Sequence, residues 1–208
     1  MLNIITLPVG QLKANCYLIY KEGNSNCLII DPGDEADFIM QKIKDYELTP
    51  VEIVATHAHF DHIQGVMELK WAYKIPFYLH QKDHMLLNHY RRSAIYFTNF
   101  DPGPPPIPDA FLIHQDVIEK NSFEFSVIHT PGHTPGSISL YNKKEGIIFT
   151  GDTIFADGGV GRTDHRYSSP LDLGKSLQKI LTLPDKTIIL PGHGEATNVL
   201  NEKSLHII

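Results

Sequence analysis

The chain has 208 residues, of which 42% are hydrophobic and 20% charged, and its formal net charge is −6 with histidine counted as neutral. These values predict one soluble domain, residues 1–208, with enough apolar side chains for a large core. No apolar run approaches the roughly 20 residues of a membrane-spanning helix, and there is no basic run, so we expect neither a membrane nor a nucleic acid as a partner. The N-terminus lacks the basic region and apolar core of a secretory signal, and the expected location is cytoplasmic.

The first part of the chain alternates short apolar runs with turns. Five runs predict strands, at residues 3–7, 16–20, 27–30, 51–55 and 77–79. Asp34 has the position of an N-cap for a helix with apolar residues at helical spacing over 36–43, and a second helix is predicted from Ile63. Cys16 and Cys27 fall in neighbouring predicted strands, and we expect two buried thiols rather than a disulfide.

Residues 93–110 break this pattern. The prolines of segment 101–108 exclude a helix or a central strand there, and aromatic side chains lie close by at Tyr96, Phe97 and Phe100. We expect either a plain covering loop or a lid or wall over a substrate cleft, because long irregular loops are often functional.

The second part repeats the alternation of strands and helix. Four runs predict strands, at residues 123–129, 138–141, 147–150 and 187–190. Ser169-Pro170 opens a helix with proline at its first position, and the apolar face of this helix begins at Leu173. Both parts give strands followed by a helix, which predicts two sheets packed together with helices outside.

Seven histidine and aspartate residues follow apolar runs at turns. Residues 56–62 read Thr-His-Ala-His-Phe-Asp-His, and three further residues stand in loops flanked by glycine or proline. Imidazole nitrogen and carboxylate oxygen are ligands that suit zinc and iron. The seven candidate metal ligands are His57, His59, Asp61, His62, His133, Asp152 and His193.

Their spacing predicts two metal ions rather than one. His57 and His59 are two residues apart, so in an extended segment they point to the same side and can bind one ion. Asp61 and His62 begin the following helix and can turn toward a second ion. Asp152 is then the natural bridge, because a carboxylate has two oxygens. The other histidines lack such settings and are expected to be structural or solvent-exposed: His80, His84, His89, His114, His129, His165 and His206.

These motifs, together with Asn-Cys-Tyr-Leu at 15–18, Ile-Asp-Pro-Gly at 30–33 and Pro-Gly-His-Gly at 191–194, resemble the metallo-β-lactamase fold superfamily. Within it, the chain is similar to the short proteins related to glyoxalase II (hydroxyacylglutathione hydrolase). The resemblance implies an α/β fold, a four-layer αββα sandwich of two mixed sheets with outer helices and the metals at one edge. It also implies a division of the ligands: His57, His59 and His133 on the first metal, Asp61, His62 and His193 on the second, and Asp152 bridging.

The departures from the family pattern narrow the expected activity. Lactamases of this superfamily commonly have cysteine where this chain has Asp152, so we do not expect antibiotic hydrolysis. Full-length glyoxalase II carries a C-terminal helical region that helps to bind glutathione, whereas this sequence ends 15 residues after His193 (208 − 193). We therefore expect no such C-terminal domain.

The resemblance implies a hydrolase that cleaves a small-molecule thioester, such as S-lactoylglutathione, by a metal-bound hydroxide. Two divalent metal ions are expected, zinc first, with iron and manganese compatible with the same ligands. Asp61 has a spare oxygen with which to orient the hydroxide. Arg162 is predicted either to bind a substrate carboxylate or to form a salt bridge with Asp164 or another carboxylate of the chain. Nothing in the sequence marks a subunit interface.

Two other functions are compatible with parts of the sequence. Persulfide dioxygenases share the fold and the Gly-Arg-Thr-Asp segment at 161–164, and bind one iron at positions matching His57, His133 and Asp152. Their last histidine usually lies in Pro-Ala-His-Asp, so Pro-Gly-His-Gly at 191–194 favours the hydrolase. A metal-bound domain without catalysis is the third interpretation, and the intact ligand set argues against it.

Overall fold

The computed structural model describes residues 1–119 and 123–206 and shows two six-stranded sheets. The first sheet contains, in spatial order, Leu2–Val9 (β1), Ala14–Lys21 (β2), Asn26–Ile30 (β3), Thr49–Val54 (β4), Phe77–His80 (β5) and Ala110–Leu112 (β6). The second contains Val117–Ile118 (β7), Phe125–His129 (β8), Ile138–Asn142 (β9), Ile147–Gly151 (β10), Ile188–Pro191 (β11) and Thr197–Asn198 (β12). Its strands also follow one another in space, from β7 at one edge to β12 at the other.

Both sheets are mixed, as predicted. Strands β1, β2 and β3 are antiparallel, whereas β3 to β6 run parallel to one another. In the second sheet β10 and β11 are parallel and the other neighbours are antiparallel. Parallel strands need crossover connections, and helices supply most of them here.

Among the described residues, six α-helices cover the outer faces of the two sheets. They are Ala36–Asp45 (α1), Phe60–Ile63 (α2), Val66–Tyr73 (α3), Tyr90–Thr98 (α4), Pro170–Leu181 (α5) and Val199–Leu205 (α6). Residues of α1, α3 and α4 share a core cluster with the first sheet, and residues of α5 and α6 share one with the second. The four-layer αββα sandwich predicted from the sequence is therefore confirmed.

Strand β3 shows how the layers are separated. Leu28 and Ile30 belong to the core between the two sheets, while Cys27 and Ile29 belong to the core beneath the helices of the first sheet. Successive side chains of a strand point to opposite faces, so a strand buried on both faces is apolar throughout. Cys27 and Cys16 are both free, buried thiols, as expected.

The two predicted helix N-termini at Asp34 and Ser169 have different outcomes. The Ser169 hydroxyl caps α5 by accepting a hydrogen bond from the backbone N–H of Asp172, with proline at the first turn as predicted. The predicted N-cap Asp34 is wrong, because Glu35 occupies that position with a left-handed φ of 50°. The Glu35 carboxylate instead accepts a hydrogen bond from the backbone N–H of Gly10, 2.8 Å away, in the turn between β1 and β2.

Residues 93–110 are only partly irregular. Helix α4 continues to Thr98, so the prediction that the irregular segment begins near residue 93 is wrong there. Segment 101–108 is irregular and is tied to the surface through contacts such as the ion pair between Arg91 and Asp101. Within 1–119 and 123–206, no helix has the length and apolar character that crossing a membrane requires.

Candidate metal centre

The seven predicted ligands come together where loops leave the two sheets. His57 and His59 lie just after β4, and Asp61 and His62 lie in the one-turn helix α2. The other three follow strands of the second sheet: His133 after β8, Asp152 after β10 and His193 after β11. The structure thus places residues from both sheets in one cluster, and their binding of metal stays a prediction.

The first donor set consists of His57, His59 and His133. The Nε2 atom of His57 lies 3.2 Å from Nδ1 of His59, and Nε2 of His133 lies 2.9 Å from the same atom. Ligand atoms at 2.0–2.1 Å from a tetrahedral zinc ion are separated by about 3.3 Å. The inward nitrogens therefore have nearly the spacing that one bound cation requires.

The second donor set consists of Asp61, His62 and His193. Nε2 of His193 lies 3.3 Å from Nε2 of His62 and 3.4 Å from Oδ2 of Asp61. Oδ2 of Asp61 lies 3.8 Å from Nε2 of His62. This spacing again suits one cation among two imidazoles and a carboxylate.

Asp152 lies between the two donor sets. Its Oδ1 atom is 3.4 Å from Nε2 of His62, and its Oδ2 atom is 3.5 Å from Nε2 of His133. Oδ1 is buried and has no hydrogen-bond partner among the described residues. A buried carboxylate oxygen without a hydrogen-bond partner is costly unless positive charge lies beside it, so Asp152 is placed where it would hold a cation together with either donor set.

Each of the five histidines contacts a further group through its outer ring nitrogen, and such contacts fix the tautomer and orientation of a ligand. The outer partners are Thr56 Oγ1 for His57 at 3.1 Å, Tyr167 OH for His59 at 2.8 Å, Asp31 Oδ2 for His62 at 3.0 Å, the Arg162 carbonyl for His133 at 2.9 Å and the Leu12 carbonyl for His193 at 3.1 Å. Carbonyl and carboxylate oxygens only accept, so they keep the proton on the outer nitrogen and leave a lone pair on the inner one.

Asp31 links the two donor sets and was missed by the sequence analysis. Its carboxylate accepts hydrogen bonds from the backbone N–H and the hydroxyl of Thr56, both at 2.6 Å, and from Nδ1 of His62. Because the Thr56 hydroxyl donates to Asp31, it is left to accept from His57. One buried carboxylate therefore orients a histidine in each donor set.

Asp83 is a second buried carboxylate that sequence reasoning missed. It accepts hydrogen bonds from the backbone N–H groups of Ala58 and Gly136 and from the Thr134 hydroxyl. Burial raises the pKa of Asp83 to about 6, although these three donors oppose the rise. Asp83 joins the loop that carries His57 and His59 to the loop that carries His133.

The protonation of the two donor sets differs. Burial, together with the neighbouring histidines, lowers the pKa of His57 and of His59 well below the ordinary value. Burial alone would also lower the pKa of His62, but the carboxylates of Asp152, Asp61 and Asp31 raise it to about 10. Burial opposes the shift of Asp61 as well, yet His62 and His193 hold the pKa of Asp61 well below its usual range.

Two glycines provide room for ligand residues. A Cβ atom at Gly192 would overlap Oδ1 of Asp152 and lie 2.8 Å from Cε1 of His62. A Cβ atom at Gly161 would overlap the backbone carbonyl oxygen of Asp152 and lie 3.0 Å from Cβ of His133. Neither glycine has a positive φ, so clearance rather than backbone freedom requires glycine at these positions.

A cavity of about 310 Å³ opens beside the donor sets, a volume that suits a small ligand. Its lining comprises Leu12, His59, Phe60, Asp61, Ser93, Phe97, His133, Asp152, Arg162, His165, Tyr167 and His193. None of these residues comes from segment 101–108. Ser93 and Phe97 do line the cavity, so part of the region 93–110 that was predicted to form a lid or wall lies beside it, in α4. His165 also lines the cavity, stacked on Tyr167 with a centroid distance of 5.0 Å, although its sequence setting did not mark it as part of a site.

Arg162 lies at the cavity, and its side chain is paired. Its guanidinium donates two hydrogen bonds to Asp164, at 2.7 and 2.6 Å, which is the pairing predicted as the alternative to substrate binding. Its backbone carbonyl is the outer partner of His133. Binding of a substrate carboxylate by this side chain stays a prediction.

Known proteins resemble the chain over nearly its whole length. The family model of the metallo-beta-lactamase superfamily matches residues 9–193. The protein named hydroxyacylglutathione hydrolase GloC from Haemophilus influenzae is 35% identical, over 97% of this chain and 95% of its own length.

Solved structures give the same assignment. BLEG-1, described as a B3 metallo-beta-lactamase, superposes with a TM-score of 0.89 at 37% identity, covering 98% of this chain and 97% of its own. TTHA1623 in a di-iron-bound form superposes with a TM-score of 0.88 at 34% identity, covering 98% of both chains. ETHE1 from Myxococcus xanthus superposes with a TM-score of 0.79 at 26% identity, covering 97% of this chain and 81% of its own. The chain belongs to the metallo-β-lactamase superfamily, and its relatives include one protein named as a probable metallo-hydrolase and one named as a hydroxyacylglutathione hydrolase.

Proposed function

We propose that this protein hydrolyses small-molecule thioesters with two divalent cations bound at the donor sets. The observation that carries the proposal is Asp152, whose two oxygens lie between the sets and whose buried Oδ1 has no hydrogen-bond partner among the described residues. If a single ion were held by His57, His133 and Asp152, the donor atoms of His62, His193 and Asp61 would lie close together without a cation to bind. Two ions use all seven donors.

The residues of the chain divide the work of hydrolysis. Bound divalent cations of this kind polarise a carbonyl and lower the pKa of a bound water to about 7. Asp61 places one carboxylate oxygen in the second donor set, and its other oxygen is available to orient the attacking water. A thiol leaving group, with a pKa of about 8.5, departs without a dedicated acid, which matches a site with no separate acid assigned.

The choice of a thioester rests on the relatives. GloC carries the name of a thioester hydrolase and aligns with 97% of this chain. Zinc is the cation we expect first, and iron is an alternative because TTHA1623 has been solved in a di-iron form. The B3 lactamase description of BLEG-1 makes a β-lactam the natural comparison substrate.

The test measures metal content and activity on the same purified protein. We expect about two metal ions per chain and thiol release from S-lactoylglutathione, with little or no cleavage of a β-lactam. One iron per chain, no thiol release and oxygen uptake with glutathione persulfide would reject the proposal in favour of a dioxygenase, the alternative suggested by the Gly-Arg-Thr-Asp segment at 161–164.

A single variant examines the second donor set. His62→Ala should reduce the metal content from about two ions to about one and lower thioester hydrolysis by at least a hundredfold, because the remaining donors cannot complete that set. His84→Ala is the matched control, since His84 is exposed and lies outside the cavity lining. Unchanged activity in His62→Ala would refute the two-ion site.

A further inference from the structure

The cavity beside the donor sets has a lining of two chemical kinds. Arg162, His165 and Tyr167 come from one polar segment. Three other side chains are apolar and come from three separate parts of the chain: Leu12, Phe60 and Phe97. We call these three the apolar lining.

Two members of the apolar lining are fixed to the donor sets themselves. Phe60 stands between His59 and Asp61 and is 6% exposed. Leu12 lies in the turn between β1 and β2, and its backbone carbonyl accepts the hydrogen bond from Nδ1 of His193 at 3.1 Å. An apolar surface therefore begins directly beside the donor atoms.

Phe97 extends this surface from α4. The helix buries Tyr90 and Ala94 against the first sheet, and it directs Ser93 and Phe97, four residues apart, at the cavity. Phe97 is 45% exposed, and its ring stacks on the ring of Phe60 with a centroid distance of 5.9 Å and an interplanar angle of 15°. Since Phe97 lines the cavity and is partly exposed, it can contact a ligand without any rearrangement of the core.

We propose that the apolar lining selects thioesters that carry an apolar group next to the scissile bond, and that Phe97 is the specificity-determining residue. This inference rests on the proposed thioester hydrolysis and deepens it. The apolar group can belong to the acyl part or to the thiol part of the substrate. Either group would cover the exposed face of Phe97 while the thioester carbonyl lies at the donor sets.

The test compares two substrate series on the metal-loaded protein. One series places acetyl or phenylacetyl on the same small thiol, and the other places methyl or benzyl thiol on the same acetyl group. We expect a higher kcat/KM for the apolar member of one series, and its identity assigns the lining to the acyl or the thiol part. Phe97→Ala should lower kcat/KM about tenfold more for that member than for the small member of the same series.

Two further variants separate this effect from a general loss of structure. Phe97→Leu keeps an apolar side chain and should retain part of the preference. Trp71→Ala removes the aromatic side chain of a residue that is 73% exposed on α3, outside the cavity lining. It should leave kcat/KM unchanged for both the apolar and the small substrate. An equal fall for apolar and small substrates in Phe97→Ala, or no fall for either, would overturn the inference.

A binding measurement decides the inference independently of activity. Phenylacetate or benzyl thiol should raise the melting temperature of the metal-loaded protein more than acetate or methanethiol does, and Phe97→Ala should abolish the difference. If wild-type protein cleaves no thioester but shows this difference, the proposed function fails and the apolar lining stands. If neither ligand shows it, the apolar lining is refuted even when thioesters are cleaved.

Discussion

The two donor sets share Asp152 but differ in their affinity for protons. In the first set, burial keeps His57 and His59 neutral, so their inward nitrogens are ready for a cation. In the second set, surrounding carboxylates raise the pKa of His62 to about 10, so a cation must displace a proton there. The histidines of the first set are therefore neutral before a cation binds, because burial disfavours their protonated form. In the second set, the carboxylates that would attract a cation also attract a proton to His62.

The largest expected effect comes from removing the residue that the two sets share. Asp152→Ala should weaken both cations and lower hydrolysis on the order of a thousandfold, because each set loses a negatively charged ligand. Metal content after dialysis and kcat/KM are the measurements. Asp45→Ala, in an exposed part of α1, is the control. A variant that keeps one tightly bound cation would mean that Asp152 serves only one set.

The contrast in protonation predicts a contrast in pH dependence. Below its pKa of about 10, metal-free His62 carries a proton, so affinity for the second cation should rise up to about tenfold per pH unit between pH 7 and 9. The lowered pKa values of His57 and His59 leave no proton to displace in that range, so affinity for the first cation should stay nearly constant. Stepwise zinc titration against a chelator tests both slopes. Equal slopes would remove the distinction between the sets.

Outer partners allow the two sets to be weakened to different extents. Tyr167→Phe removes the hydroxyl behind His59 and should reduce affinity for the first cation by about tenfold, while affinity for the second cation stays unchanged. Asp31→Asn removes the charge behind His62 and also the acceptor that orients Thr56 beside His57, so it should weaken both cations, the second by about 10- to 100-fold. The same zinc titration reports both steps. If Tyr167→Phe weakens the second cation instead of the first, the division of the histidines between the sets is wrong.

The strands and the clustered candidate ligands could be predicted because local patterns of neighbouring residues in the sequence mark both. Apolar runs ending at turns marked the strands, and histidines two residues apart, followed by an aspartate, marked the site. Helix α4 was not predicted at all, since Arg91, Arg92 and Ser93 interrupt its apolar face, the His89 side chain makes no capping bond, and a proline-rich segment follows. The sequence of α4 does not show which of its residues are buried; only its packing against the first sheet does.

The supporting carboxylates could not be predicted in the same way. Asp31 is 25 residues from Thr56 and 31 from His62, and Asp83 is 51 residues from Thr134. No local pattern records such pairings, because the fold alone brings the partners together. His165 and Tyr167 were not predicted as part of the site for the same reason, because only the fold places their segment against His59.

Gly192 has a consequence for anyone who would rebuild this centre in another protein. Beside it, Oδ1 of Asp152 and Cε1 of His62 occupy space that even a methyl group would fill. The spacing between the two donor sets therefore requires a residue without a Cβ atom at position 192. A design that copies the seven ligands onto a new scaffold, but allows alanine before the last histidine, would push the bridge out of line before any metal arrived.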